Sequence, residues 1–160
     1  MAKVYLGIGS NLGDREAHIR KALFMLEQRE IVVSRLSSMY ETEPWGVTDQ
    51  PLFINAASLV ETALAPRDLL MALKDIEKRM GRLFTNTHWG PRVIDLDILY
   101  YEERVINEPD LKIPHPHLAQ RTFVLDPLFE IAPEAVDPQT SKTVSVMRNE
   151  LICAQREQRG

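Results

Sequence analysis

Apolar runs and helical stripes alternate along this chain in the order strand, helix, strand, strand, helix, strand. That order predicts an α+β domain of the ferredoxin-like type, a mostly antiparallel sheet with helices packed on it. Two observations carry the assignment. Ile19, Ala22, Leu23 and Leu26 recur at helical spacing between two strand-like runs, and Phe53, Asn55, Ala57 and Leu59 alternate on one face of a third.

Each element has its own justification. Val4 to Ile8 is a short apolar run closed by Gly7, Gly9 and Ser10, read as a strand ending in a turn. Asn11 to Asp14 supplies capping side chains for the first helix. Ile31 to Tyr40 opens on β-branched residues and reads as the second strand. Glu43 to Pro51 is loop chemistry, long for a hairpin connection, and Phe53 to Leu64 is the third strand. Pro66 suits the first turn of a helix striped by Leu69, Leu70, Leu73, Ile76 and Met80, with Gly81 ending it. Arg82 to Arg92 is a second long loop, and the run Val93 to Leu99 closes the series. Beyond it, Ile113 to His117 is extended, Arg121 to Ile131 reads as a helix broken at Pro127, and the pattern from Pro133 onward is weak.

Composition bounds the function. The chain has 160 residues, 44% hydrophobic and 26% charged, which predicts a single domain over residues 1–160. A net charge of −4 argues against a general nucleic-acid binder. Cys153 is the single cysteine, so no internal disulfide forms, and a reducing compartment suits it. The first residues run straight into a strand and no apolar run approaches membrane length, giving the expectation of a cytoplasmic protein.

Chemistry concentrates in Arg92-Val93-Ile94-Asp95-Leu96-Asp97. On a strand, residues two apart share a face, so Asp95 and Asp97 stand side by side with Cα atoms ~7 Å apart. Paired carboxylates in apolar surroundings repel unless a cation lies between them. Magnesium is held in this way, sharing its other positions with water and substrate phosphates. Such a pair is also found on the polar face of any half-solvated strand. Its neighbourhood weighs against that: Trp89-Gly90-Pro91-Arg92 brings a turn, an aromatic face and a permanent cation to the strand's start.

Other motifs are weaker. Gly7-Ile8-Gly9-Ser10-Asn11-Leu12-Gly13 lacks the Gly-Lys-Ser/Thr of a P-loop and the spacing of a dinucleotide fingerprint, so its glycines read as turn-formers close to the site. His115 and His117 are too few for zinc and suit hydrogen bonding to phosphate or a purely structural role. Arg121 and Phe123 form a cation-plus-aromatic pair, and Asn55 is a polar side chain in an apolar strand. Trp45 and Trp89 lie in loops, which favours a clamp for a flat ligand.

Taken together, these stretches resemble the hydroxymethyl-dihydropterin pyrophosphokinase family. The match runs from Gly9-Ser10-Asn11-Leu12-Gly13 through Tyr40-Glu41-Thr42-Glu43-Pro44-Trp45-Gly46 and Gln50-Pro51-Leu52-Phe53-Ile54-Asn55. It continues with Trp89-Gly90-Pro91-Arg92, Asp95-Leu96-Asp97, Pro114-His115-Pro116, Arg121-Thr122-Phe123-Val124-Leu125 and Pro127 to Pro133, in order and with compatible spacing. The resemblance implies a ferredoxin-like αβα sandwich and transfer of a pyrophosphoryl group from ATP to the hydroxymethyl oxygen of a reduced pterin, releasing AMP.

By the same resemblance, Asp95 and Asp97 hold two magnesium ions, and which of them accepts the hydroxyl proton stays open. Arg92, His115 and Arg121 contact the triphosphate, joined by Arg82 during the reaction. Thr42 and Asn55 read the pterin edge, Phe123, Trp45 and Phe53 cover its faces, and Trp89 closes the site. Leu70, Met71 and Ile98 line an adenine pocket. A monomer is implied, with ATP and the pterin as partners and neither nucleic acid nor membrane. Phe84, Thr85 and Asp110 depart from the family's basic pattern, which puts the nucleotide contacts around them in doubt. The alternative is a magnesium-dependent nucleotidyltransferase, whose Gly-Ser ordinarily lies shortly before the acidic pair rather than far upstream. An RNA-binding module shares the element order but needs a basic, aromatic strand that Ile54 to Val60 does not supply.

Overall fold

The computed structural model describes residues 1–43, 49–81 and 93–159, the side chain of residue 159 excepted. Strand β1 (Ala2–Ser10) leads into α1 (Arg15–Gln28), then β2 (Val32–Leu36), β3 (Tyr40–Thr42) and β4 (Phe53–Thr62). Helix α2 (Pro66–Arg79) precedes β5 (Asp95–Tyr101), the hairpin β6 (Ile106–Glu108) and β7 (Leu111–Ile113), a short 3-10 turn at Leu118–Gln120, and helices α3 (Thr122–Ile131) and α4 (Val144–Arg159). The sheet order is β2-β4-β1-β5 with β3 also on β4, and every pairing in it is antiparallel. This is the ferredoxin-like order the sequence predicts.

Alternation along the strands sends side chains into two cores. Val4, Leu6, Ile8, Ile54, Val60, Leu96 and Ile98 meet Ile19 and Leu26 of α1 and Leu69, Leu73 and Ile76 of α2. Ala57, Leu99 and Tyr100 meet Leu125, Leu128 and Ile131 of α3 and Val144 and Met147 of α4. Two helices on each face make the αβα sandwich.

The elements differ from the sequence reading in five places, one of them the β6–β7 hairpin, which the pattern does not mark. β1 continues through Gly7 and Gly9 to Ser10, so these glycines are in the strand and not in the turn after it. The turn glycine is Gly13, at φ +65°. The predicted second strand splits in two. Ser37 leaves the ladder, taking the Ala57 N–H on its Oγ and donating its own N–H to the Ala57 carbonyl.

Helix α3 runs unbroken through Pro127. A proline inside a helix costs ~3 kcal/mol, whereas burying Leu125, Leu128 and Ile131 recovers ~1.5–3 kcal/mol each, so burial wins. The weakly patterned C-terminal stretch forms α4. Thr143 Oγ1 accepts the Val146 N–H at its start, and Val144, Met147 and Leu151 pack inward.

Candidate active site

Among the described residues the sheet is covered on both faces except at one end, where a cavity opens beside β1, β4 and β5. It encloses about 770 Å³, open solvent at its mouth included, and Gly7, Gly9, Asn55, Ala57, Asp95 and Asp97 line its floor. Strand register explains the floor. Gly9 stands opposite Asn55 on one side and Asp95 on the other, and Gly7 stands between Ala57 and Asp97. Two rows therefore cross the sheet, Asn55–Gly9–Asp95 and Ala57–Gly7–Asp97. Each has a glycine at its centre and a carboxylate at the β5 end. With strands ~4.8 Å apart, the backbones of Asn55 and Asp95 lie ~10 Å apart, and the Asn55 carboxamide reaches in over Gly9.

The walls come from the segment between β7 and α3 and from the first turn of α3. His115, Arg121, Phe123 and Val124 close the cavity over the carboxylates, and Phe53 and Glu43 flank its other end. Arg121 is 6% exposed and stacks 5.4 Å from the Phe123 ring centre. Burial pulls its guanidinium below the ordinary value, while the charges of Asp97 and Asp95 push it back up. His115 is also half-buried. Burial, then the charges of Arg121 and His117, push its imidazole down to about 4, with Asp95 opposing. The ring is therefore neutral at pH 7. Its Nδ1 accepts the His117 N–H at 3.3 Å, which leaves the proton on Nε2 as a donor.

The amide end is braced from several sides. Asn55 Nδ2 donates to Thr42 Oγ1 at 2.6 Å, so β3 fixes the carboxamide of β4. Asn11 Nδ2 donates to Gln50 Oε1 at 2.8 Å and to the Pro51 carbonyl at 3.2 Å. Arg15 ties the Leu52 carbonyl and the Glu41 carboxylate to the start of α1. Glu130 of α3 accepts the Tyr40 hydroxyl at 2.5 Å and the Ser38 N–H at 2.9 Å, fixing β3 from behind. That contact, with burial, pushes the Tyr40 hydroxyl up to about 12.

Of the residues singled out from sequence, Phe53, Asn55, Asp95, Asp97, His115, Arg121 and Phe123 share this one cavity, and Thr42 touches it through Asn55. Leu70, Met71 and Ile98 do not line it. Ile98 is 6% exposed on the opposite side of β5, inside the α1/α2 core, because it alternates with Asp97. Leu70 packs against that same core, and Met71 faces solvent. Trp45, Arg82, Trp89 and Arg92 lie outside the described residues.

One contributor escaped the sequence reading. Glu77 of α2 is 3% exposed and its Oε2 accepts the Leu96 N–H at 2.9 Å. β5 is the outermost strand, so on its open side Glu77 stands in for a neighbouring strand at the peptide between Asp95 and Asp97. The signal was available: Glu77 is an acid set four residues after Leu73 on the apolar stripe of α2.

The donor set decides which ion suits the floor. Two carboxylates project from one face of one strand, and no cluster of three or more His, Cys, Asp or Glu able to hold a metal occurs among the described residues. A pair of carboxylates suits magnesium, which takes one or two carboxylates and fills its remaining positions with phosphate oxygens and water, whereas a closed zinc-type centre takes about four protein ligands.

A ferredoxin-like sheet with two acids, a buried guanidinium, a neutral imidazole and a braced amide around one cavity suits an enzyme of phosphoryl-group transfer. The chain belongs to the 7,8-dihydro-6-hydroxymethylpterin-pyrophosphokinase family, whose model matches residues 5–133. It is 42% identical over 150 residues to the 2-amino-4-hydroxy-6-hydroxymethyldihydropteridine pyrophosphokinase of Aquifex aeolicus, covering 94% of this chain and 92% of that one. The Bacillus subtilis enzyme of the same name is 43% identical over 138 residues, 86% of this chain and 82% of its own. The crystal structure of Plasmodium falciparum HPPK-DHPS superposes with a TM-score of 0.78 over 98% of this chain at 16% identity. This chain spans 46% of that one, and the likeness is one of fold.

Proposed function

We propose that the cavity on β1, β4 and β5 is where this pyrophosphokinase joins ATP to its pterin, with nucleotide phosphates over Asp95 and Asp97 and the pterin over Asn55. The carrying observation is the register row Asn55–Gly9–Asp95, which sets a hydrogen-bonding amide and a metal-type carboxylate on either side of a glycine in one row of the cavity floor. The family's reaction uses ATP and magnesium and belongs to folate biosynthesis; it does not favour nucleotidyl transfer.

In this reading the hydroxymethyl oxygen forms a bond to the β-phosphorus. The bond from that phosphorus to the oxygen bridging to the α-phosphate breaks, and its electron pair leaves with AMP. Asp95 and Asp97 hold two magnesium ions. When bound, magnesium neutralises triphosphate charge and orients its oxygens. His115 donates its Nε2–H to a phosphate oxygen and Arg121 supplies a fixed positive charge. Arg92 and Arg82 add further charge, the hydroxyl proton passes to one of the two aspartates or to water, and Trp45 and Trp89 exclude solvent. Asn55, oriented by Thr42, reads the edge of the pterin between Phe53 and Phe123. Leu70 and Met71, backed by Ile98, form the adenine contact outside the cavity.

The reading takes residues 1–160 as one domain, supported by the single sheet that both cores share. It also takes the chain as a monomer, as the family resemblance implies, and as cytoplasmic, which the lone cysteine Cys153 fits because it suits a reducing compartment. No described helix is long and apolar enough to cross a membrane.

The test is to mix the protein with ATP, magnesium and 6-hydroxymethyl-7,8-dihydropterin and identify the nucleotide product. AMP formed only with pterin present is the expected result; pyrophosphate or ADP instead overturns the reaction class. Asp95→Ala and Asp97→Ala each lower kcat by about 100-fold or more. Near-parental rates in both remove the pair from the chemistry.

A further inference from the structure

Gly9 has no backbone reason to be glycine. It lies inside β1 in ordinary extended conformation, and the positive-φ glycines among the described residues are Gly13 and Gly81. Its constraint is spatial. A Cβ built on Gly9 would fall 2.6 Å from Asn55 Oδ1 and 3.6 Å from the Phe53 ring. The first distance is far inside van der Waals contact. Asn55 is not free to swing away, because its Nδ2 is committed to Thr42 Oγ1 at 2.6 Å. Two residues earlier on the same face, a Cβ on Gly7 would meet only the end of Leu99 at 3.4 Å, an ordinary contact.

We propose that Gly9 is a positioning residue of this enzyme's pterin site. The missing side chain is the seat of the Asn55 carboxamide oxygen, and that seat fixes the amide's orientation toward the pterin. The proposal rests on Asn55 reading the pterin, and it adds that the amide's direction is set jointly by Thr42 on one side and by empty space on the other. Any side chain at Gly9 breaks the Thr42 bond or turns the oxygen out of the floor. Gly9 touches no reacting atom in this account and acts through Asn55.

Four proteins test it: the parent, Gly9→Ala, Asn55→Ala and the double variant. Three quantities are measured on each: affinity for 6-hydroxymethyl-7,8-dihydropterin by fluorescence titration, affinity for the magnesium complex of a non-hydrolysable ATP analogue by calorimetry, and melting temperature. Gly9→Ala and Asn55→Ala are each expected to weaken pterin binding roughly 10- to 100-fold, the cost of a misplaced buried amide, with nucleotide affinity held within about threefold. The double variant is expected to bind pterin no worse than Asn55→Ala alone, because both changes disable one device.

Pterin affinity unchanged in Gly9→Ala but lost in Asn55→Ala overturns the role of Gly9 and leaves the functional reading intact. Parental affinity in Asn55→Ala instead overturns the reading of Asn55, and this proposal with it. If Gly9→Ala does not fold, the double variant decides, since removing Oδ1 makes room for the new methyl. Recovery of a cooperative melt supports the seat, and continued misfolding overturns it.

Discussion

The two faces of strands β1, β4 and β5 are built from alternate residues of the same segments, yet they end up as opposites. On one face Val4, Leu6 and Ile8 interlock with α1 and α2 and leave no room for anything else. On the other, Tyr5 and Leu99 pack under α3 and α4, and then the covering by described residues stops while the sheet continues. Gly7, Gly9, Asn55, Asp95 and Asp97 occupy that uncovered end. The site is thus an unfinished second core, in which small and polar residues replace the apolar ones that would have closed it. Placing the reactive groups on strands rather than loops ties their geometry to a register that the filled face enforces, since a one-residue slip would bury the acids.

The sharpest way to separate the faces is to damage the filled one alone. Leu6→Ala, at a fully buried position, is expected to cost about 2–5 kcal/mol of stability by transfer and cavity terms. Ligand affinities per folded molecule should stay within about twofold if the faces are independent. Denaturant melts and titrations at low temperature check both. A large loss of pterin or nucleotide affinity would show that the filled face sets the site's geometry directly.

The open face has a stability signature of its own, in pH. His115 is held near 4 in the folded protein against an ordinary value near 6.5. Between these values the unfolded chain binds a proton that the folded chain refuses. Stability is therefore fully present above about pH 6.5 and drains away as the pH falls towards 4. The ligand-free protein should lose on the order of 2–3 kcal/mol from this group across that window. His115→Gln should flatten the curve there. An equal slope in parent and variant would assign the acid sensitivity elsewhere.

Glu77 is where the two faces are joined. It leaves the apolar stripe of α2 and holds the Leu96 amide between the two aspartates. Glu77→Ala should cost about 1–3 kcal/mol for an orphaned buried N–H. Unlike Leu6→Ala, it should also raise the concentration at which manganese binds, read by electron paramagnetic resonance. Glu77→Gln keeps an acceptor and should restore most of both. Loss of stability with unchanged manganese binding would confine Glu77 to the filled face.

How much of this the sequence carried depends on the scale of the signal. The element order and the side-by-side aspartates follow from periodicity, which is local, and the structure reproduces both. The glycines of β1 could not be placed, because a glycine in a turn and a glycine that clears space for a cross-strand neighbour look alike in one dimension. Asn55, the neighbour that separates the two cases, is 46 residues further along. Ile98 follows Asp97 directly, and alternation puts its side chain on the face opposite the cavity, a placement the sequence carries. Pro127 was given its local cost without the burial that outweighs it. Glu77 was visible as an acid on an apolar stripe, but its partner on β5 was not.

The smallest expected effect comes from α4, which lies beyond the residues that match the family model. It completes the covered part of the second core through Val144 and Met147, and Arg148 joins it to α3 by an ion pair with Asp126 and by stacking on Phe129. Its first turn depends on Thr143 Oγ1, which accepts the Val146 N–H at 3.1 Å. Thr143→Ala should cost about 1 kcal/mol, the usual loss of a helix cap, lowering the melting temperature by about 2–4 °C. Affinity for pterin and nucleotide should not change, because α4 braces the packed end of the face and not the bare one. If affinity falls with the cap, the covered and uncovered ends are coupled through α3, whose first residues carry Arg121 and Phe123 to the cavity wall. The site would then be an extension of that core rather than the place where it stops.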